Sequence, residues 1–167
     1  MKRLLLALVA VMIAGAASAQ NYMVIDSERV FKSLTTYNNA LTEIENLAQQ
    51  YQAQVDRKYQ EVETMYNNYM SRRATMSESQ RQQQEQAILA AEAEAGEYQE
   101  SLFGTDGQLM ERRLELIQPI QERVFGVIER FAQQNGYDLV IDISANPTIL
   151  YYSSQVDFTD RIIQALR

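Results

Sequence analysis

Apolar positions along this chain follow several distinct patterns. Leu4–Ile13 is an unbroken apolar run. Tyr22–Asp26 (YMVID) and Tyr137–Ile143 (YDLVIDI) are short stretches rich in Val and Ile, and both read as strands. The segment between them is helical by period. Positions 37, 41, 44, 48, 51, 55, 58, 62, 65 and 69 are Tyr, Leu, Ile, Ala, Tyr, Val, Lys, Val, Met and Tyr, with gaps alternating four and three. A 3.5-residue period held over several heptads is a coiled-coil seam, and only Lys58 interrupts it. It predicts a helix from about Tyr37 to Ala74, roughly 55 Å long.

Local signals divide the rest. Asp26 or Ser27 is placed to cap a short helix carrying Val30 and Phe31, and Thr35-Thr36 with Asn38-Asn39 marks a break. Ser77-Glu78-Ser79-Gln80 fits a capping box, so the tip of a helical hairpin falls near Thr75–Ser77 and a return helix runs to about Gln134. The early seam of that helix is poor: Ile88, Ala91, Ala95, Tyr98, Leu102, Thr105 and Leu109. Gly96, Gly104 and Gly107 each cost about 1 kcal/mol relative to Ala in a helix. The step Gly104-Thr105-Asp106-Gly107 is therefore read as either a hinge or a simple irregularity. Beyond it, Leu114, Ile117, Ile120, Val124, Val127, Ile128 and Phe131 form an apolar face expected to pack on a globular body, with Pro119 removing one helical hydrogen bond. Asn135-Gly136 is a C-cap signal. Asn146-Pro147 is expected to turn the chain so that Thr148–Tyr152 pairs with Tyr137–Ile143 as a β-hairpin. Asp157 should cap a last helix with Asp160 in its first turn and Phe158, Ile162, Ile163 and Leu166 buried.

The expected fold is thus α+β. A small β body (20–36 plus 135–167) is made of a short N-terminal strand, a C-terminal β-hairpin and a helix. An antiparallel coiled-coil α-hairpin arm spans 37–134. Short strands leave exposed edges, and copies of the same chain are the simplest partners for them.

Composition removes most chemistry. The 167 residues include no Cys, His or Trp. Disulfides are excluded, as are the usual zinc and copper ligands and Ser-His or Cys-His nucleophile pairs. Asp26, Asp142 and Asp157 near the body are the candidates for carboxylate chemistry, but capping and strand-end roles account for all three. No acidic loop has calcium-site spacing. No catalytic, cofactor or metal residue is assigned, and no enzyme activity is expected. Lys2 and Arg3, the apolar run and Ala17-Ser18-Ala19 form a signal peptide over 1–19 with cleavage after Ala19. Later segments are too polar to cross a bilayer, so the expected location is the periplasm of a cell with two membranes. The formal charge is −7, and removing Lys2 and Arg3 makes it −9. That argues against nucleic acid as a partner.

The candidate contact surface is the distal arm. Met65 and Tyr69 read as seam residues, whereas Tyr66, Met70 and Met76 lie off the seam or at the tip. Arg72, Arg73 and Arg81, set against Glu78 and Glu85, make the tip locally positive. One reading is a solvated helix end, with the arginines favoured by the helix dipole. The other is attraction to acidic clients or a weak contact with lipid headgroups.

The segments YMVIDSERVF (22–31) and YDLVIDISANPTILYYSSQVDFTDRIIQAL (137–166), and the order signal, strand, arm, strand pair, helix, resemble the Skp/OmpH family of periplasmic chaperones. The resemblance implies a jellyfish-like homotrimer. Its shared β body would include Val24, Ile25, Val140, Ile141, Ile149, Leu150 and Tyr152. Three arms would enclose a cavity that holds unfolded outer-membrane proteins without ATP. Within such arms the candidates read from the residues themselves are Tyr66, Met70, Arg72, Arg73, Met76 and Arg81 for client contact, and Gly104 and Gly107 for a hinge. Well-known members are basic and this chain is acidic. Glu111 and Glu115 flank Arg112-Arg113, so no lipopolysaccharide site is carried over. The competing reading is a structural coiled-coil scaffold of the cell envelope.

Overall fold

A computed structural model describes residues 21–146 and 148–167. The signal peptide, its cleavage after Ala19 and Pro147 lie outside these residues. In chain order the elements are β1 (Tyr22–Ile25), α1 (Ser27–Lys32), α2 (Thr35–Arg72), α3 (Glu78–Phe103), α4 (Gln108–Gln134), β2 (Leu139–Asp142) and α5 (Thr159–Ala165). Single 3-10 turns cover Arg73–Thr75 and Ser154–Val156. The chain forms two compact units, residues 36–120 and the remainder.

The smaller unit is built on β1. β1 and β2 pair in parallel, with Tyr22 opposite Leu139 and Ile25 opposite Asp142. Parallel pairing needs a long crossover, and the helical segments between the two strands supply it. The other edge of β1 is met by the chain at Asp157, where the Phe158 N–H donates to the Val24 carbonyl at 2.9 Å. Met23 and Ile25, alternate residues on one face of β1, join Val30, Val124, Ile128, Ala132, Phe158, Ile162 and Leu166 in one buried cluster. Apart from Ala132, each of these side chains contributes about 1.5–3 kcal/mol by leaving water. Phe158 is the hub of the aromatic contacts, with its ring 4.9 Å from that of Tyr137 and 5.8 Å from that of Phe131.

Two expectations for this unit are corrected. Thr148–Tyr152 is not a strand, and no β-hairpin forms among the described residues. A strand needs a partner edge and a surface to cover, and a single chain offers this segment neither: Leu150 is 94% and Tyr151 86% exposed. The apolar face of α4 also divides. Val124 and Ile128 are in the core with Val127 and Phe131 packed against it, but Leu114 is exposed and belongs to the other unit. Met23, absent from the expected body set, is fully buried.

Caps explain where the helices begin and end. The Arg29 N–H donates to Asp26 Oδ1 at 2.9 Å, capping α1. After α4, Tyr137 N–H donates to the Ala132 carbonyl and Gly136 N–H to that of Gln133. With Gly136 at φ +70°, this is a Schellman motif that requires the left-handed conformation glycine adopts freely. Asp157 accepts from the Thr159 N–H at 2.9 Å and from its hydroxyl at 2.6 Å, one residue ahead of the N-cap position. The Thr159 hydroxyl in turn accepts the Asp26 N–H at 2.9 Å. Asp142 accepts from the Ser27 hydroxyl at 2.6 Å and from the Ser27 and Ser144 amides. Burial pushes the Asp142 carboxyl up, but these hydrogen bonds outweigh it and hold its pKa below the ordinary value. All three carboxylates considered for chemistry are thus engaged in local structure.

Among the described residues, Thr159 is the one buried polar side chain, and it ties the start of α1 to the start of α5. Thr159→Val keeps the shape and removes both hydroxyl bonds, leaving the Asp26 N–H without its acceptor. It should destabilise this unit by about 1–3 kcal/mol, read as a lower urea midpoint with an unchanged slope.

Candidate functional site

The larger unit is an antiparallel pair, α2 against the chain of α3 and the start of α4. Its seam follows the 3.5-residue pattern closely. Ile44, Val55 and Tyr69 are buried on α2, and Ile88, Ala95 and Leu102 on α3. At the start of α2 the buried residue is Ala40 rather than Leu41, which is 39% exposed. Polar ties join residues equally distant from the tip. Arg112 donates to Glu43 at 2.6 Å, and the Tyr51 hydroxyl to Gln108 at 3.2 Å. The Tyr59 hydroxyl donates to Gln99 at 3.2 Å, and the Tyr98 hydroxyl to Gln54. Lys58, the one break in the seam pattern, donates to Glu94 at 2.6 Å and lies 5.8 Å over the Tyr98 ring. The Glu94 carboxylate, by hydrogen bond and by charge, raises the Lys58 pKa, and Lys58 lowers that of Glu94.

The tip closes through the expected capping box. Gln80 N–H donates to Ser77 Oγ at 3.3 Å, and Ser77 N–H to Gln80 Oε1 at 2.9 Å. Arg81 Nε donates to the Arg73 carbonyl at 3.1 Å, so this arginine serves the turn itself.

Beside the tip is an open groove of about 500 Å³. It is lined by Tyr66, Tyr69 and Met70 of α2, Arg73 of the turn that follows, and Glu85, Ile88, Leu89 and Glu92 of α3. Tyr66 is 50%, Met70 49% and Leu89 64% exposed. Of the six expected contact residues, the groove brings together Tyr66, Met70 and Arg73. Arg72, Met76 and Arg81 lie outside it, at the turn. Leu89 was not expected: it is off the return seam, and a single exposed Leu among Gln and Ala carries no periodic signal. Tyr69 is a seam residue whose hydroxyl donates to Glu85.

The glycine step is real as geometry. α3 ends at Phe103 and α4 begins at Gln108. A Cβ at Gly104 would stand 2.5 Å from the Glu100 carbonyl oxygen, and one at Gly107 would stand 2.8 Å from the Gly104 nitrogen. Close backbone approach, not an unusual φ, demands glycine here. Opposite the break α2 is continuous, and Tyr51 spans it: its ring meets Phe103 edge-on at 6.2 Å and its hydroxyl reaches Gln108 beyond.

Among the described residues, no group of three or more Asp or Glu side chains is placed to hold a metal ion. No described helix is long and apolar enough to cross a membrane.

A family model described as outer membrane protein (OmpH-like) matches residues 21–166. No curated protein matches the chain. The fold is similar to a crystal structure from Caulobacter crescentus CB15 whose protein is described as an OmpH-like outer membrane chaperone. The TM-score is 0.66 at 14% identity, over 90% of this chain and 86% of that one.

The hydrogen bond to the Glu85 carboxylate, with burial adding to it, raises the Tyr69 phenol pKa, while Arg73 acts the other way. A raised folded pKa means stabilisation present below the unfolded value and lost as pH rises through the folded one. Glu85→Gln should therefore move one tyrosine titration to lower pH in an ultraviolet difference titration. An unchanged titration would remove this interaction from the groove wall.

Proposed function

The chain belongs to the OmpH-like family, and on that footing we propose that it is an ATP-independent periplasmic holdase for unfolded outer-membrane β-barrel proteins. The observation that carries this reading is the exposure of Tyr66, Met70 and Leu89 in one groove on a long helical pair. A holdase needs many weak, adaptable contacts, because its client pays an ordering cost on binding and must leave without fuel. Methionine adapts its shape, and tyrosine offers an apolar body with a polar tip. Export by the N-terminal signal would put the chain in the compartment its clients cross.

Holding a client in a cavity requires several copies, and we propose a homotrimer joined through the β body. Leu139, Leu150 and Tyr151 are exposed in one chain, and the outer edge of β2 has no strand beside it among the described residues. Residues 148–152 of a neighbouring copy would supply both the strand and the apolar cover. On this proposal Ile149, Leu150 and Tyr152 would belong to the body between chains rather than within one.

Native mass spectrometry of the mature chain, alone and after dilution of a urea-unfolded outer-membrane barrel protein into it, tests both statements. A trimer carrying one soluble client is expected, and Leu150→Asp with Tyr151→Asp should yield a helical monomer that no longer holds it. A stable oligomer beside an aggregated client would instead favour the scaffold reading, which the continuous polar ties of the hairpin also suit.

The break at Gly104–Gly107 is proposed as the flexing point that lets one cavity take clients of different size. Its amides should exchange with deuterium faster than those of the adjoining turns of α3 and α4, and Tyr51→Ala should widen the difference. Uniform exchange across residues 98–114 would make the break a static irregularity.

A further inference from the structure

The groove beside the tip is not a uniform apolar surface. Arg73 stands at its tip end, while Glu92 stands farther from the tip, one heptad beyond Glu85 along α3 and roughly 10 Å from it. Between them lie Tyr66, Met70 and Leu89, all well exposed. The Glu85 carboxylate accepts the Tyr69 hydroxyl. Arg81 is used at the turn, through the Arg73 carbonyl and a 3.9 Å pairing with Glu78. Among the described residues, Arg73 makes no ion pair; its guanidinium acts on the Tyr69 hydroxyl that Glu85 accepts. It is the one guanidinium lining a groove that also carries Glu85 and Glu92, on a chain of formal charge −7.

Resting on the holdase reading, we propose that this groove selects one class of client segment, an apolar or aromatic residue followed closely by a carboxylate, with Arg73 as the selecting residue. A carboxylate matches the planar fork of an arginine, and the neighbouring apolar side chain covers Met70 and Leu89. Glu92 repels a carboxylate at the far end, so the segment lies with its acidic end toward the tip. Charges farther than about 8 Å are screened at physiological ionic strength. The distant acidic residues of the chain are therefore screened at this spot. Glu85, already engaged by the Tyr69 hydroxyl, is the near charge that opposes Arg73, and the preference rests on the direct contact of Arg73 with the client carboxylate.

The test uses the full mature chain and two fluorescein-labelled peptides with the same Tyr-Leu-Tyr centre, one flanked by Asp and one by Ser, followed by anisotropy. The Asp-flanked peptide should bind roughly three- to five-fold tighter, in line with a partly exposed ion pair. The advantage should vanish in 1 M salt. Arg73→Glu should reverse the order, and Glu92→Gln should increase the preference. Leu89→Ser should weaken both peptides equally, and circular dichroism should show that each variant keeps its helix content.

Equal binding of the two peptides, or an order indifferent to Arg73→Glu, would overturn the assignment while leaving the holdase reading intact if the unfolded barrel protein stays soluble. Failure to keep that protein soluble would instead sink the reading on which this rests. Arg73-dependent binding to phosphatidylglycerol vesicles, without any preference for the Asp-flanked peptide, would also overturn it and assign the arginine to a lipid surface.

Discussion

A pair of antiparallel helices has a single seam, and this geometric limit governs the larger unit. Only one stripe of each helix can be buried against the other. In this chain the stripe is narrow: Ile44, Val55 and Tyr69 meet Ile88, Ala95 and Leu102, and much of the rest of α3 is Gln, Glu and Ala. With little apolar area to define the alignment, position is held by Arg112–Glu43, Lys58–Glu94 and the tyrosine hydroxyls. Such exposed pairs contribute little stability individually. Their effect is on alignment, because a slip along the seam would break all of them together. The same limit leaves Tyr66, Met70 and Leu89 in water, and an apolar surface with no intramolecular partner is what a binding reading requires.

The smaller unit obeys a different rule. Its strands are too short to form a sheet of consequence, and its stability rests on helices packed over β1 and on bonds between element ends. The Thr159 hydroxyl, receiving from Asp26 and donating to Asp157, satisfies backbone and carboxylate groups at two helix starts with one side chain. The sheet stops at β2. Exposed Leu139, Leu150 and Tyr151 mark where the single chain stops covering its own apolar surface.

Features set by a few neighbouring residues were legible in the sequence. Ser77 with Gln80, Asn135-Gly136 and Asp26 carry their own local chemistry, and each ends or begins a helix where expected. The seam was legible because its period repeats over many turns. Less was legible where the outcome depends on distant residues. Thr148–Tyr152 has strand-forming side chains, but pairing needs an edge that this chain does not present to it. Leu114 continues an apolar stripe, yet only the part of α4 from Val124 onward reaches the core. The groove was half legible: Tyr66, Met70 and Arg73 stood out by type and place, whereas Leu89 joins them only once the hairpin register is known. Lys58 looked like a defect until Glu94 and the Tyr98 ring were seen opposite it.

Because each polar tie joins residues equally far from the tip, the two limbs of the hairpin keep a common count. A deletion in one limb alone would carry Lys58 away from Glu94 and turn its side chains off the seam. A matched pair of seven-residue changes, one in each limb, restores both the facing and the pairing. The hairpin can therefore lengthen or shorten over evolutionary time only by symmetrical steps of about 10 Å. Reach would then vary among descendants in discrete increments, while the tip and the body could stay as they are.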